Sequence, residues 1–212
     1  HTERDKEATM LGLKTANARE AIALLKKDHL LLRKLFDRFE AAEKTHKTEE
    51  IKDIVAEACR ELKVPATIEG ALFYPALRQH MEDEDGLLDE ADEEHHEAKI
   101  LVAELELMSG DEPNYRAKFM VLAENVRHHI KEEEGELFPK AQKTGIDFEA
   151  LGERLLERKQ QLIKDGVPPD AEAEMVGQFG VSRESPSRRN QKTISVSLAE
   201  AGGRRRSRTR KH

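Results

Sequence analysis

Residues 126–142 read VRHHIKEEEGELFPKAQ, and this stretch decides the fold prediction because a histidine and a glutamate continue its apolar stripe. His129 and Glu133 follow Leu122 and Val126 in steps of three or four, the spacing that keeps residues on one face of an α-helix. A carboxylate on a buried face needs a partner, because burying an unpaired charge costs free energy. The stretch is therefore either a solvated charged helix or a core helix that carries metal ligands.

Three further stripes with the same spacing occur earlier in the chain, and each is also interrupted by polar residues. They consist of Ile22, Leu25, His29, Leu32, Phe36 and Phe39; of Val55, Ala58, Leu62, Pro65, Glu69 and Leu72; and of Leu88, Ala91, His95, Ala98, Val102 and Leu105. No segment before the C-terminal tail shows the alternation of apolar and polar residues that is typical of a strand. Four amphipathic helices with short links predict an all-α, up-and-down antiparallel four-helix bundle over residues 17–165.

Capping residues and helix breakers give the predicted helix boundaries. They are 17–44 with Asn17 as N-cap, about 48–75, about 87–108, about 113–139, and about 148–164 for a short extra helix that Asp147 caps. Residues 1–16 are predicted to form an N-terminal extension. Residues 166–212 are rich in Ser, Arg, Pro and Gly, a composition that predicts a disordered tail.

The charge distribution separates this tail from the body. Residues 183–212 hold ten Lys/Arg and two Asp/Glu, a net charge of +8, whereas residues 1–182 hold 26 and 41, a net charge of −15. A basic tail is compatible with weak, non-specific contact to nucleic acid or an acidic partner. A disordered solubilising end is the alternative interpretation.

Composition also excludes several classes of protein. The single cysteine, Cys59, excludes an intrachain disulfide framework and a multi-cysteine metal site. No apolar run approaches the length of about 20 residues that a membrane helix needs. These features favour a cytoplasmic protein without membrane contact. No pairing of a nucleophile with a base can be read, so the sequence does not predict an enzyme.

The polar residues on the four stripes predict a metal site. They are His29, Glu69, His95, His129 and Glu133. Imidazole and carboxylate groups are good ligands for iron, zinc or manganese. Residues near the midpoints of four helices can converge in a bundle core, which is how bundles build carboxylate-bridged sites for two metal ions.

An internal repeat connects these residues. PATIEGALFYP at 65–75 aligns with HIKEEEGELFP at 129–139, and DH at 28–29 aligns with EH at 94–95. The chain is thus predicted to form two helical hairpins with pseudo-twofold symmetry, and the repeat calls for His at 65 and Glu at 70.

The sequence instead has Pro65 and Gly70 at these two positions. Pro65 lies inside the second predicted helix, where proline removes a hydrogen bond at a cost of about 3 kcal/mol. A kink and a displaced Glu69 are therefore expected.

The body resembles the hemerythrin-like, or HHE cation-binding, family over residues 22–164. The matching segments are KKDHLLLRKLFDRFE (26–40), ELKVPATIEGALFYPAL (61–77), EEHHEAKILVAEL (93–105) and VRHHIKEEEGELFPKA (126–141). The resemblance implies an up-and-down bundle with a non-haem di-iron site that binds oxygen or senses oxygen, iron or redox state. Dioxygen or another small diatomic molecule is then the expected ligand.

The resemblance also implies roles for single residues. Glu69 and Glu133 would bridge two metal ions, His29 would ligate one, and His95 and His129 the other. The family's histidine of the second helix falls at Pro65, which cannot ligate through its side chain. Two hypotheses follow: an iron protein with two metal ions or a single one, or a metal-free degenerate bundle that acts as an interaction or regulatory module. The sequence does not give the oligomeric state.

Overall fold

The computed structural model describes residues 21–82 and 86–179. The N-cap predicted at Asn17, the N-terminal extension and the basic tail lie outside the described residues. The helices are α1 (Ala21–Lys44), α2 (Thr48–Ile68), α3 (Tyr74–Arg78), α4 (Leu87–Glu106), α5 (Tyr115–Glu132), α6 (Phe138–Ala141), α7 (Phe148–Asp165) and α8 (Ala171–Phe179). Two π-helical segments, π1 (Glu69–Phe73) and π2 (Glu133–Leu137), join α2 to α3 and α5 to α6.

The described residues form a helical bundle and contain no strand, which confirms the all-α prediction. Helices α1, α2, α4 and α5 provide most of the bundle core, to which α7 adds Leu151, Leu155 and Leu162. Helix α1 packs on α2, α4 packs on α5, and α7 packs against both α1 and α2. Within the part of the chain that the structure describes, no helix is both long enough and apolar enough to cross a membrane.

The apolar core consists of two clusters with the polar residues of the stripes between them. On α1, His29 lies between Leu25 of one cluster and Leu32 of the other. On the fourth stripe, Glu133 lies in the same way between Ile130 and Leu137. Each fully buried large apolar side chain contributes roughly 1.5–3 kcal/mol, so the clusters fix the helices on both sides of the polar layer.

The two π segments occupy equivalent positions of the repeat and were not predicted. The backbone N–H of Tyr74 donates to the carbonyl of Glu69, and that of Phe138 donates to the carbonyl of Glu133. Each bond spans five residues instead of four. A proline, Pro75 or Pro139, is the second residue after each segment, and its missing N–H cannot continue the ordinary ladder. Single π turns inside helices are frequent at functional sites.

Pro65 does not interrupt its helix. Helix α2 runs through Pro65 to Ile68, and the N–H of Glu69 donates to the carbonyls of Pro65 and Ala66. Proline removes only its own donor, so the later turns keep theirs. The expected displacement of Glu69 was therefore wrong, because this carboxylate lies in the core with 3% of its surface exposed.

The C-terminal helices agree with the prediction only in part. Asp147 caps α7 as predicted and accepts hydrogen bonds from the N–H groups of Glu149 and Ala150 at 3.1 and 3.0 Å. The prediction of disorder from residue 166 was wrong for Ala171–Phe179, which forms α8 and packs on α4. Helix α8 has only nine residues, too few for an isolated helix to be stable, so its contacts with α4 hold it in place.

Candidate metal centre

The five predicted ligand residues converge in the polar layer between the two apolar clusters. His29 comes from α1, His95 from α4 and His129 from α5, whereas Glu69 and Glu133 each begin a π segment. All five are buried, with 2–8% of their surface exposed. The structure thus brings together every residue that the stripes predicted.

One group of ligand atoms surrounds His29 and is called the His29 half. The Nε2 atom of His29 lies 3.2 Å from Oε2 of Glu133 and 3.7 Å from Oε1 of Glu69. The three ligand atoms of this half all lie within 4.8 Å of one another. It therefore offers one imidazole and two carboxylates to a cation.

The second group, the His95/His129 half, contains Glu69, His95 and His129. The two Nε2 atoms of the histidines are 3.1 Å apart, and Nε2 of His95 lies 3.4 Å from Oε2 of Glu69. Nε2 of His129 also lies 3.5 Å from Oε2 of Glu133. Because Glu69 directs one oxygen to each half, it is placed to bridge two cations.

Two carboxylate oxygens in this layer are unsatisfied. Oε1 of Glu69 and Oε2 of Glu133 are buried without a hydrogen-bond partner of acceptable geometry. Leaving a buried acceptor unsatisfied costs about 1–3 kcal/mol, and more for a charged group. A cation between the carboxylates would remove this cost, so the residues present fit a bound metal ion.

The spacing of the ligand atoms gives the same result. Two atoms about 2.1 Å from one metal ion lie about 3.0–3.4 Å apart at angles of about 90–110°. The His95–His129, His95–Glu69 and His29–Glu133 separations of 3.1, 3.4 and 3.2 Å agree with that range, whereas the His129–Glu133 and His29–Glu69 separations of 3.5 and 3.7 Å are slightly longer.

Carboxylates outside the layer orient two of the histidines, and the sequence predictions missed them. Glu94 accepts a hydrogen bond from Nδ1 of His129 at 2.8 Å. Glu134 accepts one from Nδ1 of His29 at 2.9 Å and is held in turn by Arg33 at 3.1 Å. Such bonds fix the tautomer and direct Nε2 at the metal position. The EH pair at 94–95 and the third glutamate of the EEE run at 132–134 were the available signals.

Tyr74, which the sequence predictions also missed, is the sixth polar residue of the layer. Its hydroxyl donates to Oε1 of Glu133 at 2.9 Å and lies 3.2 Å from Nε2 of His95 and 3.4 Å from Nε2 of His129. Its repeat counterpart, Phe138, has no hydroxyl and stacks on the ring of His29 at 5.9 Å. The tyrosine oxygen therefore lies beside the two histidines of the His95/His129 half and also contacts Glu133.

Burial and the neighbouring charges shift the pKa values of His29 and His95 in opposite directions. Burial lowers the pKa of His29, but the carboxylates of Glu133 and Glu69 outweigh it and raise that pKa to about 10. Burial and the neighbouring His129 lower the pKa of His95 to about 3. Burial and the same two carboxylates raise the pKa of Tyr74 well above its usual value. In the absence of a cation, an imidazolium at His29 balances part of the carboxylate charge.

Asp28 marks the position where the repeat is broken. It is the counterpart of Glu94, but the histidine that it would orient is replaced by Pro65. One oxygen of Asp28 pairs with Lys159 of α7, while Oδ2 has no partner. Burial raises the pKa of Asp28, and Lys159 opposes that shift.

A cavity of about 200 Å³ reaches this layer from the side of Pro65. His29, Glu69, His95 and His129 lie at its inner end. The outer wall is formed by the segment that precedes α8 and by α8 itself, namely Val167, Pro168, Pro169, Asp170 and Ala173. Glu172 holds α8 to α4 through an ion pair of 2.8 Å with His96.

Two other groups do not form comparable sites. Glu90, His128 and Glu132 are also close together, but the side chain of His128 is 55% exposed, so solvent already satisfies the group. Cys59 is buried in the apolar cluster, and burial, aided by the charge of Glu106, raises the pKa of its thiol to about 12. A thiol in this state is unsuited to redox chemistry.

The fold and the cluster define a class of protein, an all-helical bundle whose core holds histidines and carboxylates from facing helices. The chain belongs to the hemerythrin family: the model of the hemerythrin HHE cation binding domain matches residues 20–141. That range covers more than half of the chain and includes all five predicted ligands, whereas α7 and α8 lie beyond it. Searches of curated proteins and of solved structures found no match.

Proposed function

We propose that this protein binds iron through His29, Glu69, His95, His129 and Glu133 and serves in oxygen, redox or iron handling or sensing. The observation that carries the proposal is that two buried carboxylate oxygens, Oε1 of Glu69 and Oε2 of Glu133, accept no hydrogen bond of acceptable geometry. Two carboxylates in a dry core are stable only when a positive charge lies close to them. Membership of a cation-binding family supports the same conclusion.

The two halves of the site are proposed to differ in affinity. The His95/His129 half has two imidazoles and Glu69, with Glu133 3.5 Å from His129, whereas the His29 half has one imidazole because of Pro65. Two histidines and one carboxylate suffice for a mononuclear iron site with open positions. We therefore expect the His95/His129 half to fill first and the His29 half to fill weakly.

The cavity supports a small ligand for this site. Its inner end reaches the ligand residues, and most of its wall is apolar. A small uncharged molecule such as dioxygen can cross an apolar channel without losing strong hydration. The short links between α1 and α2 and between α4 and α5 support the up-and-down antiparallel topology of this proposal. A single cysteine, kept reduced, suits a cytoplasmic location.

Metal content tests the proposal directly. The protein is purified without chelators, and iron, zinc and manganese are quantified per chain together with the visible spectrum. About one iron per chain is expected, and more only when iron is supplied in excess. A preparation that stays free of metal after loading with ferrous iron would overturn the proposal.

A matched pair of variants locates the metal. His129→Ala removes a proposed ligand, whereas His128→Ala changes the adjacent, exposed histidine. The first variant is expected to lose most of the bound iron and the second to keep it. Equal iron in both variants would show that the metal binds elsewhere.

A metal-free interaction module is the second candidate, and one observation favours it. The carboxylates that raise the pKa of His29 to about 10 keep this imidazole protonated at neutral pH, which supplies a positive charge inside the layer without a metal. The same metal analysis separates the candidates, because this one requires a folded protein that takes up no metal at all.

A further inference from the structure

We propose that Tyr74 is a metal ligand, supplying a phenolate oxygen to the His95/His129 half of the site. This inference rests on the proposed function, since it requires a bound metal. Tyr74 is not among the five predicted ligands, and the side chain of its repeat counterpart, Phe138, has no oxygen atom.

The position of the hydroxyl carries the inference. It lies 3.2 and 3.4 Å from the Nε2 atoms of His95 and His129 and 2.9 Å from Oε1 of Glu133. The two distances to the histidine nitrogens agree with the separation of about 3.0–3.4 Å expected between atoms that share one metal ion at bond lengths of about 2.1 Å, whereas the distance to Glu133 is that of the hydrogen bond which the hydroxyl donates without a metal. The hydrogen bond to Glu133 alone would satisfy a buried hydroxyl, so the observation that favours ligation is the additional proximity of two histidine nitrogens within 3.4 Å.

The neighbouring backbone explains how the oxygen reaches this point. Tyr74 follows π1 directly, and its N–H closes the π turn on the carbonyl of Glu69. The extra residue of a π turn rotates the following side chain relative to an uninterrupted α-helix. The turn that presents the carboxylate of Glu69 therefore also orients Tyr74, so both groups reach the site from one segment.

The chemistry of ligation is simple. The phenolic O–H bond breaks, a bond forms between the oxygen and the metal, and one proton passes to solvent without any electron transfer. Tyrosinate is a known protein ligand of ferric iron. It supplies a third negative charge to a half that already has carboxylates, which favours the ferric over the ferrous ion.

Spectroscopy tests this assignment because the chain has only two tyrosines, Tyr74 and Tyr115, and no tryptophan. Tyr115 begins α5, fourteen residues before His129, so it lies about 21 Å away along the helix. The protein is loaded with iron in air, its iron is quantified, and its visible and resonance Raman spectra are recorded. Ferric tyrosinate gives an intense charge-transfer band that enhances phenolate vibrations, whereas histidine and carboxylate ligands do not.

The expected result is a phenolate band in the wild-type iron protein that persists in Tyr115→Phe and is lost in Tyr74→Phe. Iron bound without such a band, or a band lost in Tyr115→Phe, would overturn the assignment but leave iron binding intact. Absence of iron would overturn the proposed function, and this inference with it. If Tyr74→Phe does not fold, Tyr115→Phe alone decides, because a retained band can then come only from Tyr74.

Discussion

Asp28 of α1 pairs through one carboxylate oxygen with Lys159 of α7, while its other oxygen, Oδ2, is buried without a partner. Its repeat counterpart, Glu94, accepts a hydrogen bond from Nδ1 of the proposed ligand His129 at 2.8 Å. Asp28 is therefore in the position to orient a histidine that the chain lacks at residue 65. Lys159 lies in α7, beyond the matched residues 20–141, and it compensates part of the charge that the missing imidazole would have satisfied.

Pro65→His is expected to raise the iron content of the His29 half. The new imidazole would supply the missing ligand and could donate its other N–H to Oδ2 of Asp28. Iron per chain, measured at limiting and saturating iron, should rise from about one towards two. Pro65→Ala is the matched control, since it restores the helix N–H without adding a ligand. Equal iron content in the two variants would contradict the repeat alignment at this position.

Glu94→Gln is expected to weaken metal binding at the His95/His129 half by about 10–100-fold. The amide oxygen still accepts a hydrogen bond from Nδ1 of His129. It lacks the negative charge that makes Nε2 of this imidazole more basic and therefore a stronger metal ligand. Competition with a chromogenic chelator measures the affinity. Glu93→Gln, at the adjacent exposed position, is the control and should leave the affinity unchanged. A similar loss in both variants would indicate a general effect of surface charge.

Glu172→Ala is expected to loosen α8 and to speed removal of the metal by a chelator. The ion pair between Glu172 and His96 is partly exposed, so its loss should increase opening by about fivefold at most. Hydrogen exchange of residues 171–179 and the rate of metal loss are the two measurements. Glu174→Ala, an exposed glutamate on the same helix, serves as control. Faster exchange with an unchanged rate of metal loss would exclude the cavity as the route to the site.

Phe119→Ala is expected to lower the free energy of unfolding by about 3–5 kcal/mol. Phe119 is fully buried and packs against Phe39 at 4.5 Å and Phe36 at 6.0 Å between ring centroids. Chemical denaturation of the metal-free protein gives the value. Met120→Ala changes a neighbour that is 49% exposed and should cost less than about 0.5 kcal/mol.

Cys59 is expected to react slowly with alkylating reagents as long as the protein is folded. Burial and the nearby Glu106 raise the pKa of the thiol to about 12, whereas an unfolded cysteine titrates near 8.5, so only the unfolded chain has much thiolate at moderately alkaline pH. Because the pKa of the folded state is the higher one, the contribution of Cys59 to the free energy of unfolding is fully present below about pH 8.5. This contribution is lost as the pH rises towards 12. Labelling rates in buffer and in denaturant test this, and equal rates would contradict the burial.

The convergence of the five proposed ligands could be predicted from the sequence because each of them interrupts an otherwise apolar helical stripe. His29, His95 and Glu133 are recognisable in this way, since a polar group on a buried face needs a reason to be there. The residues that contact these side chains do not interrupt an apolar stripe. Glu134 belongs to a charged run, and Tyr74 is apolar enough to pass as a core residue.

The sequence by itself determined that this chain forms a helical bundle with histidines and carboxylates in its core, because helical periodicity is a local property that each stripe carries. The tertiary structure decided the rest, since it depends on contacts between residues far apart in the chain. It placed the hydroxyl of Tyr74 among three ligand atoms, paired Asp28 with Lys159, and folded Ala171–Phe179 against α4. The π turns at Glu69 and Glu133 belong to the same category, because packing on both sides of the polar layer stabilises a backbone that local propensity disfavours.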